Sequence, residues 1–104
     1  MVDFGKPSGP EQAGVRPAVL LQDDDLLSAL TTVIVVPITT NRKRLNLPAT
    51  LLLSAGEAGL PQQSVLLGYQ VQVRGKSRLI SRLGELSRER LEEVEDKILE
   101  ALGM

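Results

Sequence analysis

The sequence predicts a mainly β, α+β fold: a small, partly open β-barrel with one short helix and an amphipathic C-terminal helix. Three observations predict it. Several short β-branched or apolar runs are separated by turn residues. A Gly- and Pro-rich segment, residues 5–17, interrupts them. One run of apolar residues at helical spacing closes the chain, at Leu91, Val94, Ile98, Ala101 and Leu102. The 104 residues give one domain, 1–104, with no internal repeat.

The elements follow in order. Val2-Asp3-Phe4 reads as the end of a strand. Residues 5–17, GKPSGPEQAGVRP, hold three prolines and three glycines, which forbids a regular helix or a central strand. Loops of this length in small domains are usually functional. Ala18-Val19-Leu20-Leu21 is a short strand. Asp23-Asp24-Asp25 gives an acidic start to a short helix through Leu30, as the helix dipole favours. The Asp run lacks the spaced ligands and glycine of a calcium loop. Residues 31–38, TTVIVVPI, form the strongest strand, because they are β-branched and too few for a buried helix. Pro37 removes a ladder donor, which predicts an edge or a bulge there. Thr39, Thr40 and Asn41 follow, where side chains emerge into a cleft. Further strands are expected at 49–53 and 64–73, with a turn at 54–61 and a shorter strand near 82–85. Ser87 N-caps the last helix and Gly103 suits its end.

Composition removes whole classes of chemistry. There is no Cys, no His and no Trp, with one Phe and one Tyr. A disulfide framework, a thiolate zinc site and an imidazole acid–base pair are therefore excluded. Two aromatics do not make a multi-base stacking platform. The net charge is -1, so nothing marks the whole chain as a duplex DNA binder. The acids concentrate in 87–104, which leaves 1–86 slightly basic. Arg42-Lys43-Arg44 and Arg74, Lys76, Arg78 and Arg82 form two clusters there. Such clusters serve either a solvated surface or a phosphate-binding face. No apolar run is long enough to span a membrane and no secretory signal is visible, so a cytoplasmic protein is expected.

Three stretches, matched in order, carry a resemblance. Val2-Asp3-Phe4-Gly5 with Glu11-Gln12-Ala13-Gly14-Val15-Arg16-Pro17 resembles the opening of the MazF/PemK (Kid-like) toxin family. Residues 32–39 resemble its central strand, which ends in Thr or Ser. Residues 55–65 then lead to Gln70, Lys76-Ser77-Arg78-Leu79 and the last helix. The resemblance covers essentially the whole chain. It implies an SH3-like barrel, a homodimer, no cofactor and no metal. It further implies an endoribonuclease toxin that cuts single-stranded RNA at short motifs and is neutralised by a small acidic antitoxin. The same fold also carries CcdB-like topoisomerase poisons. A non-catalytic binding module, or a lapsed toxin, is therefore the alternative.

Metal-free RNA cleavage uses the adjacent 2′-hydroxyl as nucleophile and yields a 2′,3′-cyclic phosphate and a 5′-hydroxyl. It needs charge stabilisation at the phosphorane, a proton donor and a proton acceptor. Arg16 is the expected catalytic cation, because its planar fork matches two phosphate oxygens. The resemblance also assigns it proton transfer, which its high pKa makes awkward. Thr39 is the second catalytic residue, positioning the phosphate through its hydroxyl. Glu11, Gln12, Thr40, Tyr69, Gln70, Arg74 and Lys76 are the expected RNA contacts. Tyr69 and Gln72 stand where the family usually has a carboxylate and an arginine, and Gly75 where it has an aspartate. Family members also carry residues ahead of Val2-Asp3-Phe4. Either the first strand is short or the start is truncated, and a missing strand half would leave an exposed barrel edge.

Overall fold

The computed structural model describes residues 1–5, 14–21 and 24–104. Seven strands and two α-helices are present among them: β1 Val2–Asp3, β2 Val15–Arg16, β3 Ala18–Leu20, α1 Asp24–Ala29, β4 Thr32–Thr39, β5 Thr50–Leu53, β6 Ser64–Leu67, β7 Gln72–Gly75 and α2 Arg88–Ala101. Short 3-10 turns lie at Arg42–Asn46, Glu57–Gly59, Gly68–Gln70 and Lys76–Arg78. The mainly β architecture with a closing helix is as the sequence predicts. The five-stranded sheet runs β3-β4-β6-β5, with β7 also on β4, and β1 pairs with β2. These sheets do not close into a barrel.

Strand β4 organises the molecule. It pairs antiparallel with β3 on one side, and with β7 and then β6 on the other. The Ile38 amide donates to Pro17 O and the Leu21 amide to Ile34 O, so the even positions of β4 direct their backbone groups at β3. The odd positions, Pro37 among them, face β7 and β6. Pro37 sits where the partner changes, because Val35 pairs with Gln72 and Ile38 with Leu66. The proline's missing N–H costs nothing there, because the turn Gly68–Gln70 bulges past it. The expected edge is therefore not found; β4 is central, and the bulge belongs to the neighbouring strand.

That bulge corrects the single strand expected over 64–73. It splits into β6 and β7 at Gly68, which is buried between two backbones. The Gly68 amide donates to Ala49 O at 2.9 Å. A Cβ at Gly68 would stand 2.6 Å from Ala49 O and 3.2 Å from Lys97 of α2. We expect Gly68→Ala to destabilise the fold by about 2 kcal/mol, the usual scale of overpacking, which urea melts would read. The strand expected near 82–85 does not form; residues 80–87 carry no regular structure. Gly84 instead packs on the backbone of Ala58.

Two apolar clusters hold the sheet. Val36, Ile38, Leu53, Leu60 and Leu66 pack under Val94 of α2, with Leu91 and Ile98 beside them. Val33 and Val35 face the other way and pack with Val2 and Phe4 of the first hairpin. The helix is N-capped by the Ser87 side chain, which accepts from the Arg90 amide at 3.2 Å. It ends at Gly103, φ +76, with the Met104 amide returning to Leu99 O. Its apolar stripe is core through Ile98, whereas Leu102 is exposed. Among the described residues no helix is long and apolar enough to cross a membrane.

Candidate functional site

Strand register carries Arg16 toward the Thr39 end of β4. Ala18 pairs with Pro37 and Val19 with Val36, and the Ile38 amide extends the ladder to Pro17. The next pair in that register is Arg16 with Thr39. Strand β2 does lie against β4. Residues directly opposite in an antiparallel ladder project from the same face, with Cβ atoms about 5 Å apart. The chain thus sets a permanent cation beside a hydroxyl at the open end of the central strand.

The two side chains differ in setting. Arg16 is exposed on β2, whose other partner is Val2. Thr39 is 7% exposed and forms the floor. Its hydroxyl oxygen accepts from the Asn41 amide at 3.2 Å. That bond turns the chain after β4 and leaves the hydroxyl proton to donate outward, the polarity a phosphate oxygen requires. Thr40 follows, exposed.

Past the turn, Asn41 caps Arg42–Asn46 by accepting from the Lys43 amide. This delivers the basic cluster 42–44 next to the Thr39 end of β4. Arg42 donates to Gln63 at 2.9 Å. Arg44 donates from Nη1 to the Tyr69 hydroxyl at 3.0 Å. Gln70 also donates to that hydroxyl, at 3.5 Å, and Gln72 donates to the Gln70 carbonyl at 3.1 Å. Because Gly68–Gln70 lies beside Pro37 of β4, Tyr69 and Gln70 join this end of the sheet.

Arg74 and Lys76 do not join it. Arg74 pairs with Val33, and the Lys76 amide reaches Thr31. At ~3.3 Å per residue, the run from Val33 to Thr39 puts Arg74 roughly 20 Å from Thr39. Its guanidinium stands 5.9 Å from the Phe4 ring centroid, a cation–π contact, and Nη1 donates to Val73 O. Glu11 and Gln12 lie outside the described residues. The link from Arg44 to Tyr69, 25 residues apart, is the feature sequence reasoning missed. The cluster 42–44 read as phosphate-binding, but no local pattern ties it to Tyr69.

A cavity of about 660 Å³ is lined by none of these residues. It is an open apolar cleft between the outer edge of β3 and residues 79–86, with Leu53, Leu60 and Leu91 at its base.

Residues 1–102 match the family model described as PemK-like, MazF-like toxin of type II toxin–antitoxin system. The endoribonuclease MazF of Staphylococcus saprophyticus is 32% identical over 104 residues, covering all of this chain and 87% of that protein. The crystal structure of MazF (Form-I) from Deinococcus radiodurans superposes with a TM-score of 0.83 at 28% identity, covering 99% of this chain and 90% of that one. A MazE–MazF (Form-II) crystal structure from the same organism superposes at 0.72 with 27% identity, covering 99% and 89%.

Proposed function

The chain belongs to the PemK-like, MazF-like toxin family of type II toxin–antitoxin systems, and on that premise we propose that Arg16 and Thr39 carry out its endoribonuclease reaction without a metal. The observation that supports this reading is the β3–β4 register, which, continued past Pro17, runs to Arg16 and Thr39. The 2′-hydroxyl of the substrate attacks the adjacent phosphorus, the bond to O5′ breaks, O5′ takes a proton from water, and a 2′,3′-cyclic phosphate and a 5′-hydroxyl result. Negative charge grows on the two non-bridging oxygens as the phosphorane forms. Arg16 meets that charge with two N–H donors, and Thr39 donates to one oxygen and fixes the phosphate's position. Glu11 is the one carboxylate within residues 5–17; it accepts the 2′-hydroxyl proton, and Gln12 reads a base edge. Tyr69 and Gln70 take bases on the other side of Thr39, with Thr40 between them. Arg74 and Lys76 serve only phosphates several nucleotides away.

The substrate is single-stranded RNA, because only splayed bases can reach groups on a turn such as Gly68–Gln70. As a toxin of such a system the chain has an antitoxin partner; a small acidic one, laid across the basic clusters, fits their charge. A homodimer fits the exposed Leu47, Leu52, Leu99 and Leu102 on neighbouring elements. Cytoplasmic mRNA is the target. The family match and the endoribonuclease relative weigh against the topoisomerase-poison alternative.

The test is direct. Purified protein incubated with a long RNA in excess EDTA is expected to cut it at a short motif, leaving 2′,3′-cyclic phosphate ends. Thr39→Val is expected to slow cutting about tenfold, the scale of one lost hydrogen bond. Intact RNA in EDTA with cutting restored by magnesium would overturn the mechanism. Growth arrest with no RNA cleavage under either condition would restore the alternative.

A further inference from the structure

Tyr69 is the single tyrosine of the chain and is half-buried on the turn Gly68–Gln70. Its hydroxyl is held from two sides. Arg44 Nη1 approaches at 3.0 Å and Gln70 Nε2 at 3.5 Å. A guanidinium only donates, so the phenol oxygen must accept. Both approaching groups are donors, which leaves the phenol proton for an acceptor outside the pair. No described residue takes it. Arg44 keeps further N–H groups on the same side, because only one of its donors meets Tyr69. The ring, the outward O–H and the guanidinium together present a flat face edged by hydrogen-bond donors.

We propose that this cluster is a base-reading subsite that takes a carbonyl-bearing base, uracil, guanine or cytosine, in preference to adenine, with Tyr69 as the reader and Arg44 as the residue that positions it. The inference rests on the ribonuclease reading above and names a specificity determinant for it. A base stacks on the ring while its carbonyl oxygen accepts from the phenol. Adenine has no carbonyl, and its N7 and N1 acceptors each lie beside the N6 amino donor, so it meets two neighbouring donors less well. A phosphate is the poorer fit. It could accept from the phenol and from Arg44, but it gains nothing from the aromatic face beside them.

The single tyrosine makes the test specific. With 3-fluorotyrosine incorporated, the protein gives one 19F resonance, which belongs to Tyr69. Titration is done with 2′-O-methyl pentanucleotides, whose blocked 2′-oxygens cannot attack. Oligo-U is expected to shift that resonance at a concentration at least about fivefold lower than oligo-A, the discrimination one hydrogen bond provides. In Arg44→Met the resonance still moves, since the ring remains, but the preference for oligo-U disappears. Arg44→Lys, which keeps a donor, retains part of it. Product-end mapping on a long RNA is expected to show one motif position that excludes A in the parent protein and is relaxed in Tyr69→Phe. Melting temperatures of the variants control for misfolding. Equal response to oligo-U and oligo-A overturns the proposal, as does a motif unchanged in Tyr69→Phe. A uniform loss of cutting at every sequence in Arg44→Met also overturns it, in favour of a phosphate contact. If the parent protein cuts no RNA, the ribonuclease reading falls, and the 19F titration still decides the subsite.

Discussion

Arg16→Ala is expected to lower the cleavage rate by about 10²- to 10³-fold, the usual loss when a preorganised donor to a developing oxyanion is removed. The argument is one of differential binding. The ground-state phosphodiester carries one negative charge; the phosphorane carries close to two on the same oxygens. A cation opposite Thr39 therefore contributes more in the transition state than in the bound substrate. The loss should appear in the rate of the bound complex rather than in affinity. Binding of an uncleavable 2′-O-methyl RNA should weaken only a few-fold, since one phosphate contact among several is removed. Arg16→Lys keeps the charge and loses the fork, and an intermediate rate is expected. Single-turnover cleavage beside anisotropy binding measures both quantities. An Arg16→Ala protein that cuts at the parent rate would remove Arg16 from the mechanism.

That pairing was legible in the sequence only as two matched segments. Nothing local says that Arg16 and Thr39 meet. The register that joins them is set by Ala18, Val19 and Leu20 against β4, a pairing chosen by which apolar side chains must face the same way. Leu20 and Ala18 pack with Val33 and Val35, and Arg16 follows them onto that face. The same logic explains what was misread. Residues 64–73 keep one apolar pattern through Gly68 because each half has its own partner, so the pattern carries no mark of the break. The mark lies in Pro37, on a different strand. Arg74 and Lys76 are expected RNA contacts because of their charge, not catalytic residues. Antiparallel pairing of β7 with β4 carries them toward Thr32 and away from Thr39. Residues 82–85 stand across an open cleft from the outer edge of β3 and do not pair with it, and there the backbone of Gly84 settles against Ala58.

Arg90→Met is expected to destabilise the protein by about 2 kcal/mol, because it removes a clamp between α2 and the turn after β5. Arg90 donates from Nε to Glu57 at 2.6 Å, from Nη2 to the Leu52 carbonyl at 2.6 Å, and from Nη1 to Glu93 at 2.9 Å. Glu57 in turn accepts from the Ser54 amide at 3.0 Å. The Arg90 and Glu57 side chains are only 24% and 21% exposed, so solvent screens this pair less than the open pair of Arg82 with Glu85. Charge-assisted bonds of this kind contribute about 1.5–3 kcal/mol when one partner is lost, whereas Arg82→Ala should change stability little. The pair also sets a pH dependence. The Arg90 hydrogen bond holds the Glu57 carboxyl below its ordinary value, against an opposing effect of burial. Glu57 pairing raises Arg90 further, so the arginine stays charged throughout. A carboxyl lowered by folding contributes its stability above the unfolded-state value, and loses it as pH falls through the folded one. Urea melts from neutral pH down into the acidic range should therefore show the parent protein weakening below about pH 4.5, the ordinary range of a glutamate. Glu57→Gln should be less stable at neutral pH and should lose less on acidification. If Arg90→Met and the parent melt alike at neutral pH, the helix is held by Val94, Leu91 and Ile98 alone, and the clamp is a surface contact with no role in stability.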